Sequence, residues 1–117
     1  MNLLFCGDIV GQSGVNSVKN ILPDFKRNYK VDFVVVNGEN AEDGYGILPN
    51  TCEELFFQGV DVITSGNHIW DRKEIIPYIA KKNNLLRPLN YSTSCPGNGS
   101  FIYNDQLGNR ILVINIM

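Results

Sequence analysis

Three short apolar runs, each ending in a turn rich in glycine, asparagine and acid, predict an α/β fold with a mostly parallel sheet and flanking helices. Helical periodicity between the runs supports that reading, and two later β runs add a C-terminal β-hairpin. Leu3–Cys6 is continuous and apolar, as in a buried parallel strand, and enters Gly7-Asp8-Ile9-Val10-Gly11. Ser13 can cap a helix from about Gly14, with Val15, Val18, Ile21, Leu22 and Phe25 spaced for one buried face. Pro23 should kink or divide that helix. Residues 31–36 form the second run and open into residues 37–46, a loop of Gly, Asn and acid. Pro49 suits the first turn of a second helix, which Gly59 should end as the C′ residue. Residues 60–64 make the third strand and lead into Gly66-Asn67-His68. Asp71 and Glu74 have capping-box spacing, so a third helix should start there and run to about Lys82, bent at Pro77. The order β-α-β-α-β-α implies right-handed crossovers and a parallel sheet with covered faces. Leu85-Leu86 and a Pro/Gly/Ser-rich loop over residues 87–99 follow. Residues 100–103 and 110–116 then read as an antiparallel hairpin. The second of these runs is apolar almost throughout and should be buried on both faces.

The bulk composition narrows the functional classes. With 117 residues, 44% hydrophobic and 19% charged, the chain suits one domain with a core rather than a disordered segment. A net charge of −2 argues against an extended nucleic-acid surface. Lys26-Arg27 and Lys81-Lys82 read as solvated helix surface. Three cysteines, Cys6, Cys52 and Cys95, lack Cys-x-x-Cys spacing, which argues against a disulfide framework or a cysteine-rich zinc site. Free thiols, no basic leader with an apolar core, and no ~20-residue apolar window together predict a soluble, cytoplasmic protein without membrane contact.

The chemistry concentrates at the strand ends. In open α/β sheets, ligands bind at the carboxyl ends of strands. There the chain places Asp8, Glu39, Asn40, Asn67 and its only histidine, His68. Carboxylate and amide oxygens suit hard or borderline divalent ions, and a carboxylate can bridge two of them, as in two-metal phosphoesterases. Each residue has a plainer role open to it. Asp8 can cap the following helix, and an asparagine at a strand end often only makes a turn. Three successive strand ends offering donors are harder to assign to turns alone. His68 follows Asn67 directly and titrates in the range useful for general acid work.

At these residues the chain resembles the YmdB-type branch of the calcineurin-like metallophosphoesterases. Three motifs carry the resemblance: Gly7-Asp8-Ile9-Val10-Gly11, Asn37-Gly38-Glu39-Asn40-Ala41 and Gly66-Asn67-His68-Ile69-Trp70-Asp71. Arg87-Pro88, Pro96-Gly97 and Val113-Ile114-Asn115 extend it along the chain. Val10 stands where the commoner Asp-x-His motif has histidine, a departure that the branch shares. The resemblance implies the N-terminal half of an α/β/β/α sandwich, with residues 1–117 a partial domain. It also implies a centre of two divalent metal ions, iron or manganese with magnesium possible. The implied reaction is hydrolysis of phosphodiesters such as 2′,3′-cyclic nucleotides or RNA ends. By that resemblance Asp8 and Asn40 bind one metal, Glu39 bridges both, Asn67 binds the second, and His68 protonates the leaving oxygen. Gly11 and Tyr45, the latter in the Asp43-Gly44-Tyr45-Gly46 loop, shape the substrate rim; a plain turn explains that loop equally well.

Length is the departure from the family pattern. Family members continue for about as many residues again and there supply three further histidine ligands, whereas no histidine follows His68 here. The chain therefore reads as truncated and weakly active or inactive alone, with an exposed apolar face that favours homo-oligomers or poor solubility. The alternative is a non-catalytic remnant or binding module that keeps the fold. A dinucleotide-binding domain is disfavoured, because Gly7 to Gly11 does not make Gly-x-Gly-x-x-Gly and an acid sits where pyrophosphate needs backbone N–H groups.

Overall fold

The computed structural model describes residues 1–117. Four parallel strands lie side by side in chain order: β1 (Leu3–Cys6), β2 (Phe33–Asn37), β3 (Val62–Thr64) and β4 (Leu85–Leu86). Between them run α1 (Gly11–Tyr29), α2 (Pro49–Phe57) and the short α3 (Ile75–Ile79). Right-handed crossovers that always step the same way along a sheet put every helix on one face. Val34, Val36, Ile63 and Leu85 accordingly pack with Val15, Leu22, Leu55 and Ile79 in the main core. The other face takes the hairpin of β5 (Ser100–Asn104) and β6 (Arg110–Ile114), paired antiparallel as a sheet of its own. Phe33, Val35, Val62 and Leu86 meet Ile111 there, with Phe101, Tyr103 and Val113 packed around them. The layers are thus helix, sheet, hairpin.

Several expected boundaries move, each for a local reason. Helix α1 begins at Gly11, not Gly14, and its cap is Val10 without a side-chain hydrogen bond. Ser13 sits inside the first turn and is not the cap. Pro23 does not divide α1, which runs unbroken through it. The proline removes one backbone bond on an exposed face, where water can serve the freed carbonyl. Strand β2 starts two residues later than expected, at Phe33, and ends one later, at Asn37, and β3 is shorter than residues 60–64. Gly59, at φ 98°, is the C′ residue of α2 as expected. Its N–H bonds Phe56 O at 2.9 Å and that of Val60 bonds Leu55 O at 3.1 Å, the paired closure of a Schellman motif.

The capping box at Asp71 does not form. Residues 67–70 make a 3₁₀ turn, and α3 starts only at Ile75 behind Glu74, which has no side-chain cap bond. Pro77 falls in the first turn of that five-residue helix, where its missing N–H costs little, and the helix stops at Ile79 rather than Lys82. Leu85–Leu86 is the fourth strand of the sheet, too short a run to signal one by itself.

Neither β1 nor β6 is buried on both faces. Leu4 and Cys6 pack toward α1, whereas Leu3 and Phe5 on the opposite face are 48% and 60% exposed. Leu3 and Phe5 pair in register with Phe33 and Val35, but the hairpin covers only the β2–β4 side of that face. Strand β6 ends at Ile114 rather than Ile116. Its Ile111 and Val113 face the sheet, and Leu112 and Ile114 are exposed.

The loop over residues 87–99 is held by a buried guanidinium. Arg87 donates from Nη1 to Pro88 O at 2.9 Å and from Nε to Pro96 O at 3.2 Å. Gly99 closes the loop against Leu89. A Cβ at Gly99 would lie 2.3 Å from Leu89 Cα, and Leu89 N–H is fixed to Asn115 O at 2.7 Å. Backbone cannot yield as a side-chain tip can. Gly99→Ala is expected to cost about 1–3 kcal/mol, the usual range for overpacking. Urea unfolding measures it, and an unchanged midpoint would contradict this packing. Burial pushes the thiols of Cys6 and Cys52 up, so both act as small apolar side chains rather than nucleophiles. No helix is long and apolar enough to cross a membrane.

Candidate active site

Strand pairing continues past the formal strand ends, and this brings the first two donors together. Ile9 N–H bonds Asn37 O and Gly11 N–H bonds Asn40 O, both at 3.0 Å. Val10 and Asn40 form an isolated parallel bridge. Asp8 and Asn40, brought close by that ladder, therefore meet. The Asn40 amide donates from Nδ2 to both Asp8 carboxylate oxygens at 2.9 Å. Its own Oδ1 is left free. Asp8 caps no helix, so the plainer role open to it is not the one it takes.

Glu39 joins the second and third strand ends. Its N–H is fixed by Asn37 Oδ1 at 3.0 Å, and its carboxylate lies against Gly66. A Cβ at Gly66 would stand 1.8 Å from Glu39 Oε2. Only a glycine admits the carboxylate there. The Glu39 carboxylate is half-buried and takes no hydrogen bond within the chain, and Asn67, the next residue after Gly66, is exposed with an unbonded amide. The turn carrying them is pinned from the hairpin. Asn115 donates from Nδ2 to Ser65 O at 2.8 Å and to Leu86 O at 3.0 Å, while Ser65 Oγ donates to Leu86 O at 2.7 Å.

His68 sits in the 3₁₀ turn, partly exposed. Its Nδ1 is 2.6 Å from Asp71 Oδ2. An ionised carboxylate can only accept, so Nδ1 carries the proton of this bond and Nε2 is the free nitrogen. This use of Asp71 is what replaces the expected helix cap. Tyr45 packs at right angles to His68, with centroids 6.0 Å apart. Gly11, at φ 63°, borders the same loop from the other side, and a Cβ on it would meet Asp43 Oδ1 at 2.9 Å.

The structure thus pairs Asp8 with Asn40, sets Glu39 against Gly66 beside Asn67, and sets His68 against Asp71 and Tyr45. It does not gather three His, Cys, Asp or Glu side chains into one metal-holding group. Two residues were named in the sequence but not for the support they give: Asn115, the polar residue in an otherwise apolar run, and Asp71, assigned to a helix cap. Arg72, which donates to Tyr45 O and Glu42 O, left no signal, because those partners lie far away along the chain.

The model of the YmdB-like protein family matches residues 4–117. Over 116 residues the chain is 42% identical to a Bacillus subtilis (strain 168) protein named 2′,3′-cyclic-nucleotide 2′-phosphodiesterase, covering 99% of this chain and 44% of that one. A crystal structure of a hypothetical protein from Thermus thermophilus superposes with a TM-score of 0.90 at 36% identity, covering 100% of this chain and 45% of that one. A structure described as a novel phosphatase from Mycoplasma pneumoniae gives 0.85 at 37% identity, covering 96% and 41%. The chain spans less than half the length of each of these relatives. With nearly its whole length matched, the chain belongs to the YmdB-like family.

Proposed function

We propose that the protein hydrolyses phosphodiesters, 2′,3′-cyclic nucleotides among them, at a centre of two divalent cations to which these strand ends contribute the oxygen donors. One observation carries the reading: an unpartnered Glu39 carboxylate spans from the Asp8–Asn40 pair's strand to the Gly66-Asn67 turn, in a space that any side chain on Gly66 would fill. No group of the chain occupies this carboxylate, so it is open to a cation or ligand. Asp8 and Asn40 would hold one cation, Glu39 would bridge, and Asn67 would hold the second. The donors are oxygens only, which suits iron, manganese or magnesium. Fewer than three acidic, histidine or cysteine side chains cluster here, so these donors fit the centre in part. When bound, the cations supply positive charge to the phosphoryl oxygens and lower the pKa of a water.

The chain's own residues handle orientation and the proton. Asp71 holds the His68 ring through Nδ1, so that in the doubly protonated ring Nε2 would carry the proton that passes to the leaving oxygen. Asn115 and Ser65 keep the Gly66-Asn67 turn in place from beneath. The three cysteines are free, which supports a reducing cytosol as the setting.

The test measures hydrolysis of 2′,3′-cyclic AMP and bis(p-nitrophenyl) phosphate with added Mn²⁺, Fe²⁺ or Mg²⁺. It uses the native polypeptide that contains this chain. Strong turnover by that polypeptide is expected, and no turnover in any of these metals would leave only a binding role.

A further inference from the structure

We propose that Tyr45 is the platform on which the nucleobase of the substrate stacks, with Arg72 as the positioning residue that holds it; this rests on the phosphodiesterase reading above. The Tyr45 ring is 60% exposed, yet the loop carrying it is closed on itself and bolted to the His68 turn. Within the loop, Glu42 N–H bonds Gly46 O at 3.0 Å, Tyr45 N–H bonds Glu42 O at 3.0 Å and Gly46 N–H bonds Glu39 O at 2.8 Å. Across to the turn, Arg72 donates from Nε to Tyr45 O at 3.0 Å and from Nη2 to Glu42 O at 3.3 Å. Gly46, at φ 81°, lets the two backbones touch, since a Cβ there would lie 2.7 Å from His68 O. The loop therefore cannot swing freely against the turn. An aromatic ring fixed in advance binds a flat partner without first losing its own freedom.

Position and chemistry then name the partner. The right-angled contact with His68 uses at most one face of the tyrosine ring. A single furanose separates the 2′,3′-phosphate of a nucleotide from its base, and a single ring contact separates His68 from Tyr45. With phosphate chemistry at His68, the base falls beside Tyr45. Every nucleobase offers a π face, so such a platform favours nucleotides over baseless phosphodiesters without choosing among bases. Arg72 spends its donors on carbonyls, so its part is to hold the loop.

The experiment uses the 117-residue chain in EDTA and reads binding by saturation-transfer NMR, with adenosine 3′-monophosphate and D-ribose 5-phosphate as probes. Transfer to the adenine protons is expected. Tyr45→Ala should weaken adenosine 3′-monophosphate about tenfold and leave ribose 5-phosphate unchanged, while Tyr45→Phe stays within about twofold of the parent, because stacking does not need the hydroxyl. Arg72→Ala should erase the Tyr45–His68 ring cross-peak and weaken the nucleotide but not the sugar phosphate. No adenine transfer, equal loss of both probes, or full affinity in Tyr45→Ala would each overturn the platform. Adenine stacking without hydrolysis by the native polypeptide that contains this chain would instead sink the phosphodiesterase reading and spare the platform. Hydrolysis unaffected by Tyr45→Ala would do the reverse.

Discussion

Gly66→Ala is expected to strip the site of cation affinity while leaving the fold nearly intact. The added Cβ would sit 1.8 Å from Glu39 Oε2 and 2.5 Å from Cδ. Those atoms are the tip of a flexible side chain. The backbone at Gly66, φ −138°, lies outside the left-handed region, so no left-handed strain adds to the steric clash. Only that flexible tip has to move, so Glu39 can swing aside at little cost in stability. The displaced carboxylate, however, no longer reaches both strand ends. Losing a group that only supports a metal ligand costs about 10–100-fold in affinity, and removing a bridging ligand should cost more. Mn²⁺ titration of the native polypeptide that contains this chain, beside its urea unfolding curve, measures both effects. Glu39→Ala should reproduce the affinity loss. Retained Mn²⁺ affinity in both variants would remove Glu39 from the centre.

His68→Ala should act on a different step. General acid catalysis contributes about 10²–10⁴-fold, so kcat of the native polypeptide that contains this chain should fall by that order while its bound metal stays. The Nδ1 bond to Asp71 at 2.6 Å gives this role a second handle. Asp71→Asn removes the carboxylate that fixes the tautomer and should lower kcat in the same direction but by less. Steady-state kinetics and metal content, taken on the same preparations, separate the two roles. Metal loss matching that of Glu39→Ala would make His68 a ligand instead.

These predictions draw on a candidate site of which only part was readable along the chain. Asp8, Glu39, Asn40, Asn67 and His68 could be picked out as candidates because each follows an apolar run, and a strand end is a local feature. Tyr45 and Gly11 were readable only as a rim or a turn, and their placement around Asp43 and His68 came from the fold. Arg72 was not readable as a site support, and Asn115 was marked only as a polar residue in an apolar run. Their partners, Tyr45 O and Ser65 O, lie 27 and 50 residues away. Asp71 was misread because a capping box and a histidine partner look alike in sequence. The spacing to Glu74 favoured the cap, but the imidazole, equally close along the chain, took the carboxylate.

By itself, the order of apolar runs and periodic stretches determined a parallel sheet with crossover helices and a closing hairpin. Side-chain period and turn residues act within a few positions, so they survive in one dimension. Only the tertiary structure decided which strand faces stay uncovered at Leu3 and Phe5, that Leu85–Leu86 is a strand, and that Glu39 fills the space above Gly66. Those outcomes depend on which distant segments come to lie side by side, and that is settled by packing across the whole domain rather than by any stretch of it.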